Sequence, residues 1–334
     1  MNEYWIDVLL SCFLHTPLNI MFWRGAWHIQ DVYFIPEVPL YNHLISVVLG
    51  ISLSLIIYLT QSYSRTYFPR LRGVPYFFVS RLYTLIFGFG SVSHWRGLWL
   101  LMDYYTEVSW ISVTVSCSLG ILILVCLKSY CTMLAPPVVI GIDCFKNTQF
   151  VITTRFQCNI KKSTSLYMLD VIFTVVVIQS LVVVVWRGLW EILDLGLYPD
   201  DSLSTTLYSF LIGYSLMVIA VLVQLFIAEL SKKLYQAERF VLRLVVEDVY
   251  VILLSILTVS CWRGLWYIQD LYLFTFNIEL SYWVSLITGC LGLVILGTFN
   301  SVVTKGCFID GADPGGQGVI CDVGYFSRSY DVVD

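Results

Sequence analysis

Long apolar runs separated by short polar connections dominate the chain. A helix needs about 20 mostly apolar residues to cross the hydrocarbon core of a bilayer. Eight stretches meet or approach that length, near residues 4–28, 41–60, 76–102, 108–128, 166–193, 205–228, 247–270 and 279–300. The first is interrupted by Asp7, His15, Pro17 and Arg24, and it is assigned a helix mainly because the repeat described below places one there. Met1 to Val8 carries Glu3 and Asp7 but no Lys or Arg, so the segment reads as a retained helix and not as a secretory leader. The pattern predicts an all-α polytopic membrane protein with eight transmembrane helices.

Self-similarity organises these segments. Trp23-Arg24-Gly25-Ala26-Trp27 leads to Asp31, Trp95-Arg96-Gly97-Leu98-Trp99 to Asp103, Trp186-Arg187-Gly188-Leu189-Trp190 to Asp194, and Trp262-Arg263-Gly264-Leu265-Trp266 to Asp270. Each even helix then carries a glycine, Gly50, Gly120, Gly213 and Gly289, 17 to 19 residues after the motif Asp. The repeating unit therefore reads as a two-helix hairpin, with copies at about 1–62, 63–130, 163–230 and 240–302 inside one membrane domain, 1–304. Two helices is an even number, so successive copies share one topology and are related by an axis along the membrane normal. Four parallel repeats in a pseudo-fourfold or pseudo-twofold arrangement are expected.

Composition and charge set the chain in a membrane and give it a side. Of its residues 58% are apolar and 13% charged, with mean hydropathy +0.79, against about 45–50% and 25% in soluble domains. Cys12, Cys117, Cys126, Cys261 and Cys290 lie inside apolar runs, which suits packing and not a disulfide framework. Apart from the four motif arginines, the basic residues gather in alternate connections: Arg65, Arg70, Arg72 and Arg81; Lys128, Lys146, Arg155, Lys161 and Lys162; Lys232, Lys233, Arg239 and Arg243; then Lys305 and Arg328. The positive-inside bias makes that side cytosolic, with both termini there. The opposite connections are short and acidic and lack an Asn-x-Ser/Thr acceptor. The longest cytosolic connection, spanning 131–162, and a tail from 305 to 334 rich in Gly and Asp look irregular and flexible, suited to contacts with cytosolic partners. Cys131 and Cys307, just beyond helix ends, are positioned for palmitoylation.

Within the motif, the two tryptophans (Trp23 and Trp27, Trp95 and Trp99, Trp186 and Trp190, Trp262 and Trp266) share a helix face and suit an interfacial aromatic belt. The glycines Gly25, Gly97, Gly188 and Gly264 admit a neighbouring helix. Arg and Asp lie seven apart, about 10 Å along the axis, too far for easy pairing within one helix. An intramembrane Arg costs roughly 2.5–3.5 kcal/mol on insertion scales and finds a partner. The Arg24, Arg96, Arg187 and Arg263 side chains are expected to meet Asp31, Asp103, Asp194 and Asp270 across repeat boundaries. Two uses fit such a set: a structural seam between repeats, or a charged ring at a pore mouth. Glu191 adds an acid in the third copy where His28 stands in the first. A fainter set, Asp7, Asp170 and Asp248, recurs in the cytosolic half of three odd helices, with Ser80-Arg81 in the second. These read as helix-start charges or as part of an ion path.

The fourfold Trp-Arg-Gly motif on eight spans with cytosolic ends resembles the Fuseless family of eight-pass membrane proteins, over nearly the whole chain. That resemblance implies a presynaptic plasma-membrane protein supporting calcium-channel localisation and synaptic transmission, with membrane or cytosolic synaptic proteins, including a calcium channel, as partners. It implies no catalytic residue. The alternative is an ion channel or transporter with a pseudo-fourfold pore or cavity lined by the repeated Arg and Asp. An enzyme fits poorly: four His, no metal-ligand spacing, no nucleotide loop and no nucleophile motif are present. No cofactor or metal is expected. The lipid bilayer is the obligate partner, the basic clusters suit anionic lipid, and basic residues scattered over short connections give nucleic acid no footprint.

Overall fold

The computed structural model describes residues 2–143, 149–304 and 306–326. Lys146, Lys305 and Arg328, three of the residues that orient the chain above, lie outside them. Among the described residues the fold is all-helical, with no strand beyond an isolated bridge between Val139 and Asp322. Helix α1 runs through Asn2–Leu10, a π-helical stretch Ser11–His15, and Thr16–Tyr33. It is followed by α2 (Pro39–Leu59), α3 (Gly73–Thr106) and α4 (Trp110–Cys126). Helix α5 repeats the plan of α1: Thr164–Ile172, a π-helical stretch Phe173–Ile178, and Gln179–Gly196. Helices α6 (Ser202–Gln236), α7 (Phe240–Tyr272) and α8 (Ile278–Ile295) complete the bundle.

Five helical stretches are long and apolar enough to cross a membrane by length and composition: Glu3–Tyr33, Pro39–Arg70, Thr164–Gly196, Ser202–Gln236 and Ile278–Ile295. This is fewer than the eight expected. Helix α4 has only 17 residues. Helix α3 has ample length at 34 residues, but polar groups dilute its hydropathy, among them Ser91, Ser93, His94 and Arg96; α7, 33 residues long, buries most of Tyr250–Gly264 inside the bundle. The outward faces carry exposed Phe13, Val48, Ile111, Leu222, Phe226 and Ile295. An apolar surface of that extent calls for lipid.

Starts and turns follow from local chemistry. Ser109, Asp201 and Asn277 cap α4, α6 and α8 by accepting hydrogen bonds from the first-turn amides, and Pro39 opens α2. Each odd helix ends in a tight turn whose fourth residue after the motif Asp has a left-handed backbone: Ile35, Glu107, Tyr198 and Phe274, with φ from 47° to 54°. None is glycine, so the turn geometry is imposed by the helices it joins.

The packing partners differ from the hairpin read in the sequence. Helix α2 packs along α3, α4 along α5, α6 along α7, and α8 returns to α1, whereas α1 and α2 barely touch. Glycines set these contacts. A Cβ on Gly25 would lie 2.5 Å from the Leu286 amide nitrogen, one on Gly289 2.5 Å from that of Phe22, one on Gly264 2.7 Å from that of Phe210, and one on Gly213 2.6 Å from that of Cys261. Gly97 meets Val47, Gly50 meets His94, and Gly188 meets Cys117 as closely. The repeated glycines of odd and even helices therefore face each other across the seam between successive repeats.

The expected flexible connection and tail are instead packed within the described residues. Tyr130, Met133, Val138, Ile140, Phe150 and Ile152 are buried, as are Cys307, Val319, Cys321 and Val323. Short turns follow α4 and α8, at Tyr130–Met133 and Phe299–Val302, and each is held by a carboxylate from elsewhere. Asp310 accepts from the Tyr130 and Cys131 amides at 2.8 Å; Asp143 accepts from the Phe299 and Asn300 amides at 2.8 Å. The two arrangements correspond, one in each half of the chain. Cys307 is buried with its sulfur against Ser129 and Thr132, and Cys131 is packed against the core, so neither thiol is presented for acylation.

Candidate functional site

The motif arginines are placed on α1, α3, α5 and α7 one helical position after a tryptophan, and each reaches the Asp of the preceding odd helix. Arg96 Nε donates to Asp31 at 2.9 Å, Arg187 Nε to Asp103 at 2.6 Å, Arg263 Nε to Asp194 at 2.8 Å, and Arg24 Nε to Asp270 at 2.7 Å. The cycle is closed, since the first repeat receives the last. The arginine side chains are 0–3% exposed and the carboxylates 28–38%. Each cation is thus sunk in the bundle and each acid sits at its rim.

Even helices complete the coordination with residues not singled out above. Four and eight positions before each even-helix glycine stand hydroxyl or amide side chains: Ser46 and Asn42, Ser116 and Ser112, Ser209 and Thr205, Ser285 and Ser281. Arg24 donates to Ser285 at 2.9 Å and Ser281 at 3.1 Å. Arg96 donates to Ser46 at 2.6 Å and Asn42 at 2.5 Å, and Arg263 to Thr205 at 2.6 Å and to Ser209. Their four-residue spacing aligned with the glycine is the signal that would have found them. The second repeat breaks the rule: Ser116 turns to the Val113 carbonyl, and Arg187 Nη1 and Nη2 have no partner among the described residues.

The tryptophans do not form an interfacial belt. They point inward in two tiers. Trp23, Trp95, Trp186 and Trp262 are 3–7% exposed and meet edge-to-face around a ring, with centroids 5.2–5.7 Å apart. Trp27, Trp99, Trp190 and Trp266 form the second ring, at 5.8–5.9 Å. Edge-to-face geometry is the favoured one for aromatic quadrupoles. A cavity of about 630 Å³ runs through both tiers, lined also by His28, Glu191, Asp194, Tyr267 and Asp270 at the motif end.

At the other end the cavity meets backbone. The Trp186 indole donates to the Met133 carbonyl at 3.3 Å, Trp262 to Pro136 at 2.6 Å, and Trp23 to Val302 at 3.1 Å. Residues 132–136 and 300–304 thereby floor the cavity. The acids Asp7, Asp170 and Asp248 are not assembled into a shared site. Asp7 accepts from the Phe326 amide at 2.8 Å; Asp170 accepts from Thr154 Oγ1 at 2.6 Å and the Phe156 and Cys158 amides at 2.9 Å. Arg81 pairs with Asp143 at 3.0 Å. Asp248 Oδ1 is buried with no hydrogen bond among the described residues. Two of the three acids thus fasten connecting segments to the bundle. Among the described residues, no group of three His, Cys, Asp or Glu side chains is placed to hold a metal ion.

A protein-family model, Fuseless, matches residues 3–303, and the chain belongs to the Fuseless family. No curated protein and no solved structure matches it.

Proposed function

We propose, from its membership of the Fuseless family, that the chain is an eight-pass plasma-membrane protein with both termini cytosolic, built from four repeats about a pseudo-fourfold axis. It acts without catalysis as a presynaptic organiser that supports calcium-channel localisation and synaptic transmission. The observation that favours an organiser over a conduit is the floor of the axial cavity. Three indole N–H groups hold loop backbone across the far end of the bundle, and the motif arginines are committed to neighbouring aspartates. A hydrated ion would have to displace that backbone, and none of the four motif arginines lines the cavity. The packed cytosolic loop and tail supply a shaped surface for a channel or its cytosolic partners, which an unstructured tail would not.

Two measurements test this reading. Purified protein in planar bilayers passes no ion current, and reproducible current altered by Asp103→Asn or Asp270→Asn would sink the organiser view. In cells expressing a voltage-gated calcium channel, removal of the protein lowers channel density at release sites, and unchanged density would remove the family-based role. The second reading, a transporter or channel, draws on the axial cavity of about 630 Å³ with acids at one mouth, and the same recordings decide it.

A further inference from the structure

We propose that the axial cavity binds a small organic cation, a quaternary ammonium or an amine on an apolar body, with its charged nitrogen among the outer tryptophans beside Glu191. A binding site would serve an organiser or a transporter equally, so the proposal stands apart from the choice between them. A volume of about 630 Å³ lies within the range of roughly 300–1,000 Å³ typical of small-molecule sites. Eight indoles line it, and tryptophan is the strongest aromatic partner for a cation. Such a wall holds an apolar body and an ammonium, and it offers little to an anion.

The departure from symmetry indicates where the charge goes. Five residues after the first motif tryptophan the repeats carry His28, Leu100, Glu191 and Tyr267. The tryptophan before that position and the Asp three residues after it are invariant, and there the repeats differ in charge. The three polar residues of the set line the cavity. Glu191 belongs to none of the four Arg–Asp pairs. It lies beside the Trp99 indole and in the field of Asp194 and Asp103, while the nearby cation, Arg187, is engaged by Asp103. An acid excess therefore sits inside the outer aromatic tier. Solvent reaches this rim, because the Asp31 and Asp270 side chains are 38% and 36% exposed. A purely apolar occupant such as an acyl chain would gain nothing from Glu191.

The test is a tryptophan-fluorescence titration of the full chain in lipid nanodiscs. The probes are choline, benzyltrimethylammonium, and the uncharged isostere of choline with carbon replacing the quaternary nitrogen. Both cations should give a saturable change, with choline bound about tenfold more tightly than its isostere, a ratio equivalent to about 1.4 kcal/mol. Glu191→Gln should reduce that preference while leaving isostere binding unchanged, and Leu100→Glu, adding a second acid at the symmetric position, should strengthen it. Equal binding of choline and its isostere, the outcome for an acyl-chain slot, overturns the proposal. So does the absence of any saturable change with either cation up to about 10 mM. If Glu191→Gln fails to fold, unchanged choline affinity in Leu100→Glu overturns it instead.

Discussion

Asp103→Leu cuts one link of the Arg–Asp cycle at its least supported point. Arg187 is 0% exposed, its Nε donates to Asp103 at 2.6 Å, and its two Nη atoms have no partner among the described residues. Removing the acid leaves a buried guanidinium without its hydrogen-bonded partner, with Glu191 nearby, for which the cost is about 3–5 kcal/mol. Asp103 is 28% exposed, so water can enter in its place and the lower end, about 3 kcal/mol, is expected. At Arg96 the same cut, Asp31→Leu, leaves Asn42 and Ser46 in place, and the loss should be nearer about 2 kcal/mol. Replacing both members, Arg187→Met with Asp103→Leu, removes the stranded charge and should cost less than about 1 kcal/mol, recovering about 2 kcal/mol of the Asp103→Leu loss. At about 2 °C per kcal/mol for a chain of this size, thermal melts followed by size-exclusion chromatography should fall about 6 °C for Asp103→Leu, about 4 °C for Asp31→Leu, and under 2 °C for the double change. A double variant that melts at the sum of its singles would refute the reasoning, because the arginine would then be stabilised by something other than its partner.

Three further expectations can be checked on the same protein. Gly264→Ala would put a Cβ 2.7 Å from the Phe210 amide nitrogen, an overpacked seam costing about 2 kcal/mol; an unchanged melting temperature would show that the α6–α7 contact can open. Ile35→Gly relieves a β-branched residue held at φ 49°, worth about 1–2 kcal/mol, against about 0.4–1 kcal/mol of added unfolded-chain entropy, and should raise stability by about 0.5 kcal/mol, measured by the same melts, with a loss indicating that the side chain packs in the membrane. Burial pushes the Asp310 carboxyl above its usual range although the Tyr130 and Cys131 amides donate to it. Because the folded value is raised, its stabilising contribution is complete below the ordinary aspartate value of about 4 and declines as pH rises through the raised one. Hydrogen exchange at Tyr130 and Cys131, corrected for intrinsic rates, should lose protection over that interval, and Asp310→Asn should remove the dependence; a flat wild-type profile contradicts it.

The membrane class, the positions of the helices and the repeat were fixed by local features of the chain. Apolar run length and the spacing of Trp, Arg, Gly and Asp are properties of neighbouring residues, and the seven-residue gap from Arg to Asp already required a partner on another helix. Which helix supplies that partner depends on how the units close, and the fold alone decided it: Arg24 reaches Asp270 at the far end of the chain. The same holds for the tryptophans. Lipid and a helical bundle interior are alike apolar, so hydropathy could not distinguish a ring facing the lipid interface from one facing the axis. Helix α3 looks weaker as a span for the converse reason, since polar groups that lower its hydropathy, Arg96 and Ser91 among them, find partners inside the bundle. The loop and tail read as loose because their polar backbone has no local partner. The fold provides distant ones in the indoles of Trp23, Trp186 and Trp262 and the carboxylates of Asp143 and Asp310. Sequence determined what each repeat carries; the tertiary structure decided which groups meet, because every one of those contacts joins residues far apart along the chain.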